Sequence, residues 1–404
     1  MIATLHIMTI LNWLISAVKF FYDCFSFYHV CHVNQHVLPD FYEDKGAFIL
    51  RQISLTDIRP GMLLARNLYT REGHILLASG VKLTENYLRK LQQLKVKNLF
   101  IQDERYQDIT VPEYLSMETQ QRALAILSST MEKIHNKETF ATDSISDIAS
   151  DIVEELIVQP CISIQLTGIA THDDYTLDHS LNCAIYTALL ARSCNFTIPQ
   201  IKEITCGALL HDIGKMKVDK RIINKPDRLT AKEFGIIKQH PHSGFKLLLK
   251  KRWELSSLVA HMAWQHHEKI DGTGYPRGLQ GEEILNYARL LTITDVYEAI
   301  TGCRPYRKAM KLEEAYHIIH SGLGTAFDEC FGKIFLSKMA LHFPGMEVML
   351  NTGEKAIVVS LVHDAPCKPM IRLISYPDGT PYSPPKEINL AETPHLFIAS
   401  TFPT

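Results

Sequence analysis

The sequence predicts a mainly α-helical protein, in which a small α+β module precedes a helical bundle and a small β module follows it. Residues 151–342 contain successive apolar stretches at helical spacing, bounded by capping residues, Pro or Gly. Residues 51–110 alternate short strand-like runs with one helix. Residues 343–404 contain short apolar runs separated by Gly-containing turns. A helical linker over residues 111–150, rich in Ser, Thr and Asp from 137 onwards, joins the first two parts.

The composition is that of a globular protein with two or three domains. The chain has 404 residues, of which 46% are hydrophobic, and its net charge is −2. This balance lacks the basic excess of a general nucleic-acid binder, so no DNA or RNA partner is expected. The nine cysteines form no CxxC pair, which indicates free thiols in a reducing cytoplasm. Cys183, Cys194 and Cys206 lie in apolar helical stretches and are predicted core residues.

The N-terminal extension, residues 1–50, is unusually apolar. Its stretch 2–18 is marginal in length for a membrane span, and neither a basic start nor a small-residue cleavage site indicates a signal peptide. Three interpretations stay open: an amphipathic or buried helix, a membrane anchor, or a non-native start. An anchor within residues 1–30 would hold a cytoplasmic protein at the inner face of the membrane.

Local signals predict the elements in order. The first module should contain a turn at Arg59-Pro60-Gly61, a hairpin of 63–69 with 74–78, a helix over 85–94 capped by Thr84, and a strand over 97–102. A helix is also expected over 117–134. The bundle should contain helices over 177–191, 199–210, 231–240, 256–267, 287–301, 312–320 and 332–342. Strands are expected over 348–350, 356–362 and 370–375.

Several of these boundaries rest on single residues. Thr230 and Glu233 have capping-box spacing, and Pro241 should end the helix that begins at 231. Gly214 suits the C-terminal stop of the helix that ends near 210.

Seven side chains in the predicted bundle have the chemistry of metal ligands. Burying His211 beside Asp212 at the end of an apolar helix is costly unless both are satisfied, and Asp295 interrupts an apolar helix. Helical bundles often build metal sites from such inward-facing side chains. The full set is His179, His211, Asp212, His240, His266, His267 and Asp295. Imidazole and carboxylate suit Fe, Mn or Zn, and seven ligands exceed one tetrahedral zinc site but fit two metals.

The motifs around these residues resemble the HD-GYP family of the HD phosphohydrolase superfamily, in its order and spacing over about residues 170–310. The matching stretches are Asp178-His179-Ser180, His211-Asp212-Ile213-Gly214-Lys215, Asn224-Lys225-Pro226, His240-Pro241, His266-His267-Glu268, Asp271-Gly272-Thr273-Gly274-Tyr275-Pro276, Asp295-Val296-Tyr297-Glu298-Ala299 and Arg304-Pro305-Tyr306-Arg307. The resemblance implies an HD-type bundle with a bimetal site that uses iron or manganese. It implies a phosphodiesterase that opens cyclic di-GMP to linear pGpG and, in some members, continues to GMP.

The resemblance also assigns roles to the ligands. The first metal would be held by His179, His211, Asp212 and Asp295. Asp212 would bridge to a second metal, held by His240, His266 and His267. Two such ions lower the pKa of a bridging water, so that hydroxide can attack phosphorus near neutral pH.

Further residues are candidates for the substrate site. Lys215 is a candidate catalytic and phosphate-binding residue beside Asp212, with a helix-dipole contact as the alternative. Arg304 and Arg307 are candidate phosphate contacts, or else surface ion pairs. Gly274, Tyr275 and Pro276 belong to a loop that would shape the entrance. By resemblance this loop also meets diguanylate cyclase (GGDEF) partners, and a homodimer is a further expected assembly.

Two positions depart from the family pattern. Tyr175 stands where some members have a Glu that supports a third metal, so two metals are predicted. Glu298 stands where the family often has Asp, which keeps the charge on a longer arm and shifts substrate positioning. His172, His242 and His261 fall outside the pattern and are predicted surface or core residues.

Two other functions compete with a cyclic di-GMP phosphodiesterase. The protein could be a metal phosphohydrolase for another nucleotide or cyclic dinucleotide, or a non-catalytic signalling module. The intact ligand set counts against the signalling module, and the glycine-rich loop favours cyclic di-GMP.

Overall fold

A computed structural model provides the architecture of most of the chain after the N-terminal extension. The residues that the structure describes are 51–55, 58–65, 68–69, 75–94, 96, 98–102, 108–109, 114–158, 175–223, 225, 227–302, 310–362 and 365–401. The apolar extension over 1–50, the motif residues Asn224 and Pro226, and the predicted phosphate contacts Arg304 and Arg307 lie outside them. His172 also lies outside, and Tyr175 is described only by its backbone.

The first module is α+β, as predicted. Its elements are β1 (Arg51–Ser54), β2 (Leu63–Leu64), β3 (Leu68–Tyr69), β4 (Ile75–Leu77), α1 (Glu85–Gln93) and β5 (Asn98–Gln102). Strand β5 lies between β1 and β2, antiparallel to both, and β3 pairs with β4 as the predicted hairpin. Thr84 accepts a hydrogen bond from the backbone of Tyr87 at 3.3 Å and caps α1 as expected. Leu64, Leu83 and Leu91 form its core.

The central part is helical throughout. Its helices are α2 (Met117–His135), α3 (Asp143–Leu156), α4 (Tyr175–Ser193), α5 (Ile198–Leu210), α6 (Lys220–Ile223), α7 (Ala231–Ile237), α8 (His240–Leu249), α9 (Ser257–Gln265), α10 (Asn286–Thr301), α11 (Leu312–Ser321) and α12 (Glu329–Lys338), with short 3-10 helices at Ile213–Lys217 and Gly281–Glu283. One continuous apolar core includes buried residues from every helix between α2 and α12 except α6 and α7. Helix α4 packs against α5 and α10, and α9 packs against α5 and α8.

The structure corrects three predicted elements of the bundle. The helix predicted over 231–240 ends at Ile237, and His240 begins α8. Pro241 permits this because a proline fits the first turn of a helix, where no intrahelical N–H is needed. The helix predicted over 332–342 instead spans Glu329–Lys338, with Asp328 as its cap. The polar stretch predicted as linker contains the start of α3, whose Ile145, Ile148 and Ile152 are fully buried.

The last part is a five-stranded antiparallel sheet. Its strands are β6 (Glu347–Leu350), β7 (Lys355–Ser360), β8 (Met370–Ser375), β9 (Pro381–Asn389) and β10 (Ile398–Thr401), in the order β10-β6-β7-β8-β9. The sequence predicted the first three and missed β9 and β10. Strand β9 contains Pro384 and Pro385, which are unusual in strands, but it lies at the sheet edge, where a missing donor is tolerated.

Two other predictions can be compared with the described residues. Cys183 and Cys206 are buried and Cys194 is half-buried, in agreement with core positions. His242 and His261 are half-buried in a ring cluster with Trp264 and Phe245. None of the helices that the structure describes combines the length and apolarity that crossing a bilayer requires.

Candidate metal centre

The seven predicted ligands come together at one place in the bundle. His179 lies on α4 and Asp295 on α10. The other five follow or begin helices: His211 and Asp212 come directly after α5, His240 starts α8, and His266 and His267 come directly after α9. All seven except His267 are at most 6% exposed.

Short distances join the side chains of the predicted first metal site. The Nε2 atom of His179 lies 3.1 Å from Asp295 Oδ1 and 3.5 Å from Asp212 Oδ2. His211 Nε2 also lies 3.5 Å from Asp212 Oδ2. These atoms therefore surround one small volume.

The predicted second site adjoins the first through Asp212. Its other carboxylate oxygen, Oδ1, lies 3.2 Å from His240 Nε2 and 3.7 Å from His266 Nε2. His267 Nδ1 lies 3.7 Å from Asp295 Oδ2 and its ring packs 5.0 Å from that of His240. Ligand atoms of His240, His266 and His267 lie within 4.8 Å of one another. Asp212 thus has the position of a bridging carboxylate.

Three of the histidines are oriented by backbone carbonyls. The Nδ1–H of His211 donates to Ala208 at 2.7 Å, that of His240 to Ile237 at 2.7 Å, and that of His266 to Ala263 at 3.0 Å. Each acceptor belongs to the last turn of the preceding helix, whose carbonyls lack intrahelical partners. A neutral imidazole that donates from Nδ1 has only a lone pair at Nε2. All three Nε2 lone pairs therefore face the centre.

His179 lies within α4, where carbonyls are already used by the helix, and a side chain orients it instead. Its Nδ1–H donates to Oε2 of Glu298, which is 3% exposed. Asn182 donates to the other oxygen of Glu298 at 3.4 Å. Carboxylates in this position fix the tautomer of a ligating histidine and raise its basicity. The sequence marked Glu298 only as a departure that shifts substrate positioning, and its contact with His179 was not foreseen.

The inward-facing atoms fit metal ions better than they fit one another. His240 Nε2 and His266 Nε2 lie 3.1 Å apart, although both present lone pairs and neither has a proton to donate. His211 Nε2 and Asp212 Oδ1 are fully buried without a hydrogen-bond partner. Buried acceptors that face one another are unfavourable unless a cation lies between them. Imidazole nitrogen and carboxylate oxygen are ligands that divalent transition metals accept.

Electrostatics keep most of these groups in the ligating protonation state. Burial opposes ionisation of Asp212, but the positive charge of Lys215 beside it holds the pKa of its carboxyl well below the usual range. Burial lowers the pKa of His211, and burial together with the neighbouring histidines lowers that of His266 well below its usual value. Neutral imidazoles and ionised carboxylates are the forms that bind metals.

Gly214 is needed for the close approach of two segments. A Cβ atom at Gly214 would lie 2.0 Å from the carbonyl oxygen of His240 and 2.5 Å from the backbone nitrogen of Gly244. The residue lies inside a 3-10 helix, whereas α5 already ends at Leu210, so the predicted role as a helix stop is wrong. Its role is steric: without a side chain, the segment after Asp212 packs directly on the start of α8.

The glycine-rich loop after α9 lies against the centre. Glu268, which is 1% exposed, accepts hydrogen bonds from the backbone of Arg277 at 2.8 Å and Leu279 at 3.1 Å, and so holds the loop from inside. A Cβ at Gly274 would lie within 2.6 Å of three backbone atoms. The Tyr275 ring packs 4.7 Å from that of His267.

Of the remaining predicted substrate residues, Lys215 lies at the metal centre and Pro276 lies at the surface. Lys215 Nζ donates a close hydrogen bond to Asp212 Oδ2, which places its positive charge at the centre. Pro276 is exposed beside Tyr275.

The Cys183 thiol also lies in the first site. Its Sγ is 3.7 Å from both ring nitrogens of His179, and Cys183, His179, His211 and Asp295 each offer a ligand atom within 4.8 Å of the others. Burial raises the pKa of the Cys183 thiol to about 12.

The comparisons with known proteins agree with this geometry. Residues 145–330 match the HD domain family, and residues 347–403 match the KOW domain associated with HD domains. Relatives of the first segment include enzymes whose names refer to cyclic di-GMP. Residues 145–330 form an HD domain of the HD-GYP type.

Several curated proteins are similar to part of this chain. A cyclic di-GMP phosphodiesterase of Pseudomonas aeruginosa is 36% identical over 238 residues, which cover 59% of this chain and 57% of that protein. The 3'3'-cGAMP-specific phosphodiesterase 3 of Vibrio cholerae is 40% identical over 163 residues, covering 40% and 35% of the two chains. The matched stretches thus span about a third to three fifths of these relatives. The solved structure of an HDG"Y"P protein from Bdellovibrio bacteriovorus, 18% identical, matches 71% of this chain and 98% of that chain with a TM-score of 0.46.

Proposed function

We propose that this protein is a metal-dependent phosphodiesterase that hydrolyses cyclic di-GMP to linear pGpG, with GMP as the product of a second cleavage. The observation that supports this most strongly is the set of inward-facing lone pairs on His211, His240 and His266 around the ionised carboxylate of Asp212. The names of the relatives support a cyclic dinucleotide as the substrate.

The proposed ligands divide into two sets. His179, His211, Asp212 and Asp295 would hold one ion, and His240, His266 and His267 would hold the second, with Asp212 shared. Two bound divalent ions, of iron or manganese, would activate a water molecule and offset the charge that develops on the phosphate.

The chain's own residues would then act on the substrate. Asp212 would keep the two halves of the site at a fixed spacing, and Lys215, on the solvent side of Asp212, would attract a phosphate oxygen as a point charge. The packing of Tyr275 on His267 supports a role for Gly274, Tyr275 and Pro276 as one wall of the entrance. Arg304 and Arg307 remain candidate phosphate contacts.

Metal analysis and turnover together test this proposal. We expect protein prepared without oxygen to contain about two Fe or Mn ions and to convert cyclic di-GMP to pGpG. His211→Ala should lose metal and turnover, because it removes a ligand with no substitute. His317→Ala, which changes an exposed histidine on α11, is the matched control. Metal-loaded protein that leaves cyclic di-GMP intact would contradict the proposal.

A second substrate is favoured by three relatives from Vibrio cholerae whose names specify 3'3'-cGAMP. One of them, 3'3'-cGAMP-specific phosphodiesterase 3, is 40% identical over its matched stretch, so the same assay should include 3'3'-cGAMP and mononucleotides. Turnover of 3'3'-cGAMP alone would assign that specificity instead. Contact with GGDEF proteins, a homodimer, cytoplasmic location and membrane association stay predictions.

A further inference from the structure

Positive charge is concentrated in the segment that joins the two halves of the metal centre. Residues 215–238 lie between Asp212 and His240 and contain eight Lys or Arg residues but only three Asp or Glu residues, whereas the whole chain has a net charge of −2. A local excess of positive charge raises the concentration of an anionic ligand near a site. The question is which of these cations has a position suited to direct contact.

Lys238 is the cation whose surroundings differ from those of its neighbours. Its ammonium lies 4.9 Å from the ring centroids of both Phe234 and Tyr275. Tyr275 in turn packs on His267, so Lys238 is one aromatic ring away from the proposed second metal site.

The charge of Lys238 is also less compensated than the charges of Lys215 and Lys225, two lysines of the segment that form ion pairs. Lys215 pairs with Asp212, and Lys225 pairs with Glu233. In the part of the chain that the structure describes, Lys238 has no carboxylate within ion-pair distance, and its side chain is half-buried. Its oriented ammonium can therefore bind an anion without first breaking an ion pair.

The proposed substrate has a second negative charge that a cation at the position of Lys238 could bind. A cyclic dinucleotide contains two phosphodiesters, and when one lies at the metals and Lys215, the other remains charged. We propose that Lys238 binds this second, non-reacting phosphate, held in place by the ring faces of Phe234 and Tyr275. This inference rests on the proposed function, which supplies the two-phosphate substrate. Pre-orientation by the rings reduces the entropy that binding costs.

The role predicts a specific kinetic change. A contact with the non-reacting phosphate is made equally in the bound substrate and in the transition state, so its loss should raise KM and leave kcat unchanged. Loss of a hydrogen bond to a charged group typically lowers affinity roughly 10-fold to 100-fold. A cation–π contact without a role in binding would change thermal stability only.

Matched variants and ligands test the proposal. Lys238→Met keeps the apolar stem, and Lys238→Arg keeps the charge. Lys232→Met removes an exposed lysine from helix α7, which Lys238 follows directly. Binding of cyclic di-GMP and of GpG, which has a single phosphate, is measured by calorimetry on Mn(II)-loaded protein, followed by hydrolysis kinetics and thermal midpoints. We expect Lys238→Met to weaken cyclic di-GMP binding roughly 10-fold to 100-fold while GpG binding is unchanged, with Lys238→Arg restoring most of the loss.

Other outcomes overturn the inference. Equal weakening for both ligands, weakening for neither, or the same loss in Lys232→Met would each exclude a dedicated contact with the second phosphate. If wild-type protein binds cyclic di-GMP but does not hydrolyse it, the proposed function fails while the binding comparison still decides the role of Lys238. If it binds neither ligand, both proposals fail.

Discussion

Glu298 provides the most direct test of how this centre is built. It is the side chain that accepts the Nδ1–H of His179, the one histidine of the first site that no free backbone carbonyl orients. Glu298→Leu would leave that N–H buried without a partner, and Glu298→Gln would keep an acceptor but remove the negative charge. Both changes leave the proposed ligands themselves intact.

The expected loss of metal affinity in these variants follows from the burial of the His179–Glu298 hydrogen bond. His179 and Glu298 are 2% and 3% exposed, so the hydrogen bond between them is shielded from bulk solvent. Leaving a buried donor unsatisfied costs about 1–3 kcal/mol, and removing partners of this kind typically lowers metal affinity about 10-fold to 100-fold. We expect about 100-fold for Glu298→Leu and about 10-fold for Glu298→Gln. The loss should concern only one ion, because His240, His266 and His267 do not contact Glu298.

Metal stoichiometry at limiting chelator distinguishes these expectations from general destabilisation. Wild-type protein should retain two ions where Glu298→Leu retains one, with a helical circular dichroism spectrum in both cases. Glu282→Gln, which weakens an exposed ion pair with Arg289, is the control and should retain both ions. Unchanged affinity for both ions in Glu298→Leu would refute the role of Glu298 as the support of His179.

Three further predictions concern stability. Gly214→Ala should lower the free energy of unfolding by about 1–3 kcal/mol or more in urea titrations, because its Cβ would overlap the His240 carbonyl, and it should reduce metal content; unchanged values would show that the segments separate freely. Chelation should lower the thermal midpoint, since metal at about 1,000 times its dissociation constant adds about 4 kcal/mol; equal midpoints would indicate an empty centre. Arg372→Ala, which removes contacts with Asp108 and Glu387, should cost about 1 kcal/mol and leave turnover unchanged, because both acids are largely exposed; lost turnover would link the sheet to catalysis.

The sequence predicted the parts of this site that depend on residue type and spacing. Adjacent His211 and Asp212 after an apolar helix, and Asp295 inside one, are costly in a core without partners, so they indicated a buried centre before any fold was known. Capping signals placed α1 and the start of α7 to within a residue, because a side-chain cap is a local interaction.

What the sequence could not predict depends on contacts between distant segments. The steric role of Gly214 arises where α8 crosses it, and the orientation of His179 depends on a side chain 119 residues away. Strand β9 was missed because its prolines argue against a strand, and only its position at the sheet edge makes them acceptable. Helix α3 was obscured by its polar start, although its isoleucines recur at helical spacing.

Glu298 could support His179 through its negative charge or through a direct hydrogen bond that depends on the length of the side chain. Changing that length separates these two explanations. The carbonyls that orient His211, His240 and His266 come from Ala208, Ile237 and Ala263, and any residue would supply them. At position 298 both the charge and the reach of the side chain matter.

Glu298→Asp, the residue common in the family, keeps the charge but shortens the arm by one bond of about 1.5 Å. That change would stretch the contact with His179 beyond hydrogen-bonding range unless α10 moves. If reach dominates, Glu298→Asp should lose more metal affinity than Glu298→Gln, although only the Asp variant keeps the charge. The opposite order in a competition titration would show that the charge acts at longer range, and that orientation of His179 by a direct hydrogen bond is not what the centre requires.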